Sequence, residues 1–83
     1  MEAELKLIYQ HSSIEDLKLS LHTIEVDIRA EQHSLQDTTD TEVIADIRQT
    51  IKDLNYEAAY VAGLIDLYYD NQQNSLENQS TEQ

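Results

Sequence analysis

The sequence predicts an all-α protein, an antiparallel two-helix hairpin of coiled-coil type followed by a polar tail. Apolar residues recur at alternating three- and four-residue spacings, a capping-box sequence stands ahead of each run, and only a few polar residues separate the two runs.

Residues 1–11 carry Leu5, Leu7, Ile8 and Tyr9 among acidic and polar positions. That pattern fits either a short separate helix or an N-terminal extension of the next one. The first apolar series is Ile14, Leu17, Leu21, Ile24 and Ile28, then Leu35 after a polar interruption at Glu31. It predicts a helix over about 12–35 with one buried seam. The second series runs without a gap through Ile44, Ile47, Ile51, Leu54 and Ala58, then Val61, Ile65 and Tyr68. It predicts a longer helix over about 40–70. Ser12-Ser13-Ile14-Glu15 and Thr39-Asp40-Thr41-Glu42 match the capping box, which places the caps at Ser12 and Thr39.

The interval 36–39, Gln36-Asp37-Thr38-Thr39, is short enough that the helices must fold back on one another, so 12–70 forms one helical hairpin. Leu17, Leu19 and Leu21, then Ile24, Val26 and Ile28, also alternate with period two, as paired strands would. No Gly, Asn or Pro separates those triplets, and the heptad pattern extends beyond them both ways, so the helix accounts for more residues. After Asp70 the composition shifts to Asn and Gln with only Leu76 to bury, which predicts a polar, flexible tail over 71–83.

Composition narrows the function classes. With 5 Lys and Arg against 17 Asp and Glu, the net charge of −12 repels phosphate backbones, which argues against direct nucleic-acid binding. No apolar stretch approaches the ~20 residues needed for membrane insertion, and Met1-Glu2-Ala3-Glu4 lacks the basic start of a secretory signal. The chain has no cysteine, so a cytoplasmic location is the default expectation.

Little in the sequence points to chemistry. His11, His22 and His33 recur every eleven residues, but that interval rises about 16 Å on a helix, too far for a shared metal ion. The acidic loop from Asp37 to Glu42 lacks the spacing and central glycine of a calcium loop, and helix capping accounts for its residues. Neither a phosphate-binding glycine loop nor a nucleophile triad with supporting turns is present. The expectation is a non-enzymatic protein without metal or cofactor.

The informative residues lie off the seams. A helix in a two-helix hairpin has one face to hide, yet Tyr56, Tyr60, Gly63 and Leu67 share a line, with Leu64 beside it, roughly opposite the Ile47–Leu54–Val61 seam. Leu19, Thr23, Val26 and Ala30 repeat this on the first helix. Tyrosine is enriched at interfaces, and a glycine lets another backbone approach closely. A small hairpin also gains little net stability alone, so a partner or self-association is expected to cover these stripes.

Taken with its length and hairpin pattern, the ending Gly63-Leu-Ile-Asp-Leu-Tyr-Tyr-Asp-Asn-Gln-Gln-Asn-Ser-Leu76 resembles the small co-chaperones of bacterial type III secretion, the YscE/SsaE-like family. The Leu35-Gln36-Asp37 turn and the Leu67-Tyr68-Tyr69 helix end are its most specific points. The resemblance implies pairing with a larger helical-repeat (TPR-like) chaperone to keep a secretion needle subunit soluble and unpolymerised. It also implies that Tyr56, Tyr60, Leu64, Leu67 and Tyr68 contact the partner; the apolar stripes themselves add Gly63 and, on the first helix, Leu19 and Val26 as interface candidates. The acidic balance and the Asn/Gln tail depart from the family pattern.

Two other classes fit the same residues. Glu42, Asp46, Asp53 and Glu57 project together from the second helix and could imitate a row of phosphates, as in an acidic DNA-mimic inhibitor of a nucleic-acid-binding or defence protein. A homo-oligomeric coiled-coil adaptor would hide the stripes within a bundle.

Overall fold

The computed structural model describes the backbone of residues 2–81 and the side chains of residues 2–73. Among these it is all-helical, with α1 (Glu2–Tyr9), α2 (Ile14–Gln36) and α3 (Thr41–Thr81) in chain order and no strand. The molecule is long and narrow, 65 × 23 × 16 Å. That length is close to the rise of about 61 Å that α3 alone supplies.

Each helix start is held by the residue after the predicted one. Ser13, not Ser12, caps α2: its backbone is extended and its Oγ accepts from the Asp16 amide at 3.1 Å. Asp40, not Thr39, caps α3, where one carboxylate oxygen accepts from the amides of Glu42 at 2.9 Å and Val43 at 3.4 Å. An ionised side chain bridging two unpaired amides at the positive end of a helix outcompetes a neighbouring hydroxyl. The connection therefore comprises Asp37–Asp40 rather than 36–39, and α2 closes with the Asp37 amide donating to the Ser34 carbonyl at 3.1 Å.

Both seams are inward except at Tyr68, the last member of the second series, which lies beyond the reach of α2's core and is exposed. Leu17 and Ile24 of α2 meet Val61 of α3, the one side chain fully buried among the described residues. Leu21, Ile28, Leu54, Ala58 and Ile65 pack around them. Ile14, Leu35, Ile44, Ile47 and Ile51 are half-buried, so no predicted core residue is left exposed.

The N-terminal segment is a separate helix. Eight residues are too few to hold a helix in water, and α1 persists through its contacts with α3. Leu5 is buried, the Tyr9 ring lies 6.4 Å from that of Tyr60, and the Tyr9 hydroxyl donates to Glu57 Oε1 at 2.7 Å.

At the other end α3 continues past Asp70, the boundary the apolar series implied, to Thr81. No glycine or proline interrupts it there, and Gln72 Nε2 donates one turn back to the Tyr68 hydroxyl at 3.0 Å. The tail expected to be flexible, 71–83, is thus helical backbone as far as Thr81. Its side chains from Asn74 onward and residues 82–83 lie outside the described part.

Candidate protein-interaction surface

Of the predicted contact residues, Tyr56, Gly63, Leu67 and Tyr68 are exposed on α3, and Leu19 and Val26 are exposed on α2. Leu67 keeps 57% of its surface and Leu19 64%. A methyl group built on Gly63 would meet nothing within 4 Å, so the helix has an open notch at that point. Tyr68 and Tyr69 meet edge to face with ring centres 5.6 Å apart, and Lys18 Nζ sits 5.3 Å over the Tyr69 ring.

Two predicted contact residues are turned to other uses. Leu64 packs against the Leu17–Ile24–Val61 core, because it falls at the edge of the α3 seam rather than behind it. Tyr60 is half-buried beside Tyr9, so α1 already covers part of the stripe. The surface left open is Tyr56, Gly63 and Leu67, and it is not continuous through Tyr60.

Further exposed apolar residues escaped the sequence pattern. Leu7 and Ile8 are 69% and 63% exposed. Adjacent residues lie about 100° apart on a helix, so in a helix this short periodicity cannot assign them to a face. Val43 is exposed near the start of α3. A groove of about 380 Å³ also opens between α2 and α3, with Leu19, Thr23, Ile24 and Asp27 on one wall, Leu54 and Glu57 on the other, and Tyr9 contributing from α1.

The acidic row is less uniform than its spacing suggested. Glu42 and Asp46 are exposed, whereas Asp53 is half-buried and accepts from Gln49 Nε2 at 3.0 Å. Glu57 is half-buried and accepts the Tyr9 hydroxyl. Burial, the bond to the Glu57 carboxylate and that carboxylate's charge together push the Tyr9 phenol up to about 12, against a smaller opposing hydrogen bond from Ser20. Tyr9 therefore stays protonated and donating throughout the physiological range. His11, His22 and His33 are all exposed.

No helix among the described residues is long and apolar enough to cross a membrane. Set against protein families, characterised proteins and solved structures, the chain matches none of them.

Proposed function

We propose that this chain is a non-enzymatic protein-binding module in which α2 and α3 form an antiparallel, coiled-coil-like hairpin and the outward apolar residues receive a helix of another protein. The observation that carries this proposal is the exposure of Tyr56, Gly63 and Leu67 along a helix whose opposite face is already packed on α2. An aromatic anchor, an open backbone notch and an aliphatic anchor suit helix-to-helix docking. In its specific form, supported by the resemblance of Gly63–Leu76 to type III secretion co-chaperones, the module pairs in the cytoplasm with a helical-repeat chaperone. The pair would then occlude the polymerising surface of a needle subunit. Occlusion of this kind uses packing alone and requires neither nucleotide nor metal.

The net charge of −12 and the exposed Glu42 and Asp46 favour a second proposal, a DNA-mimic inhibitor. Affinity capture from cells that make the protein, washed at low and then high salt, separates the two. A helical-repeat chaperone and a small secreted subunit retained through high salt support the co-chaperone. Release of a nucleic-acid-binding protein at high salt supports the mimic. Recovery of this chain alone sinks both and leaves the homo-oligomeric coiled coil.

A further inference from the structure

The groove between α2 and α3 combines three properties. Its floor is apolar, with buried Ile24 and half-buried Leu54, and its α2 lip carries the exposed Leu19. Thr23 adds little polarity there, because its hydroxyl donates back to the Leu19 carbonyl at 3.1 Å. Two carboxylates line it, Asp27 from α2 and Glu57 from α3, the latter accepting the Tyr9 hydroxyl.

The cations of the helix pair are confined to the side away from the groove, whereas carboxylates occur on both sides, Glu25 and Asp66 among those away from it. Counting about 100° per residue, Asp46 and Asp53 lie in line with Glu57 on α3, and Asp16 and Glu31 lie in line with Asp27 on α2. The Lys and Arg residues of these helices fall elsewhere. Lys18 and Arg29 are about half a turn around from Asp27, Arg48 is about half a turn from Glu57, and Lys52 is more than a third of a turn away. The position of Lys18 over Tyr69, which does not line the groove, agrees with this confinement of the cations.

The same side already accepts a helix. α1 brings Tyr9 onto Tyr60 and Glu57 and so occupies one end of the groove. The lining extends from Leu19 to Asp27 on α2, a rise of about 12 Å or roughly two helical turns.

We infer that this groove is the docking site for a basic amphipathic helix of a second protein, which seats at least two turns between α2 and α3 next to Tyr9. Its apolar residues enter between Leu19 and Leu54, and its Lys and Arg residues reach the carboxylates on both rims. Another copy of this chain is a poor occupant, because it would set a second net charge of −12 against the same carboxylates. The groove is a different surface from Tyr56, Gly63 and Leu67, so either site can fail without the other.

The test titrates the full chain with a synthetic Leu/Lys amphipathic helix of about 16 residues, and with a Leu/Glu peptide of the same apolar pattern. Fluorescence anisotropy gives affinity and two-dimensional NMR gives location. The Leu/Lys peptide is expected to bind and to shift Leu19, Thr23, Ile24 and Leu54. The double variant Asp27→Lys/Asp53→Lys should weaken it by about tenfold or more, whereas Asp66→Lys/Asp70→Lys, with the same change in net charge, should weaken it by less than about twofold. Should the first pair unfold, Leu19→Gln at an exposed position repeats the test and should weaken binding by about fivefold or more. Equal losses in both double variants would overturn the inference, as would equal binding of the Leu/Glu peptide. Shifts confined to Tyr56 and Leu67, or a dimer joined through the groove, would overturn it as well.

Discussion

Replacing Gly63 with alanine separates folding from binding in one substitution. Gly63 lies in the interior of α3, exposed, with nothing within 4 Å of an added Cβ. The new methyl group therefore strains no neighbour, and the helix gains the usual glycine-to-alanine preference of about 0.8–1 kcal/mol. For a domain of this size that corresponds to a rise in Tm of about 4–8 °C, readable by circular dichroism on the isolated chain. If Gly63 is the notch where a partner helix approaches, the same methyl group must weaken capture of that partner. Stability and binding should then move in opposite directions. An unchanged or lowered Tm would refute the open-notch geometry, and tighter capture would refute the role of Gly63 in docking.

Val61→Ala removes two methyl groups from the only fully buried side chain among those described and should cost about 2–3 kcal/mol in urea unfolding, with less than about 1 kcal/mol counting against the α2–α3 core. Ser13→Ala and Asp40→Ala should each lose about 1 kcal/mol while Ser12→Ala and Thr39→Ala stay near zero, and the reverse order would move the caps back by one residue. Because the Tyr9 phenol is raised in the folded state to about 12, its contribution is fully present below about pH 10 and is lost as pH climbs toward 12. Partial solvation of the ring limits the loss to on the order of 1 kcal/mol. Stability measured from pH 9 to 12 should therefore fall more steeply for the natural chain than for Tyr9→Phe, and parallel curves would dissolve the Tyr9–Glu57 contact.

The helical class and both seams were legible because burial along a helix writes itself as a three-and-four spacing. Leu17, Ile24 and Val61 stand where that spacing put them. The caps slipped by one residue because Ser12-Ser13 and Thr39-Asp40 each offer two competent oxygens, and only local backbone geometry selects between them. α1 could not be read from periodicity, since eight residues contain barely two turns and depend on α3 for stability. For the same reason the covering of Tyr60 by Tyr9 had no signal, as the two residues are remote in sequence. The extent of α3 was hidden for another reason: beyond Tyr68 it has neither an apolar rhythm nor a stop residue, so periodicity ends before the helix does. The groove is a property of two helices together and leaves no trace in either one alone.

On the proposed function, the outer face of α3 binds a protein and is not needed for folding. Leu67, at 57% exposed, tests both halves together. Leu67→Asp should keep the helicity and melting temperature of the natural chain and, in the same preparation, fail to retain the partner that the natural chain captures at high salt. Retention equal to that of the natural chain would contradict the claim, and so would unfolding caused by this one exposed substitution.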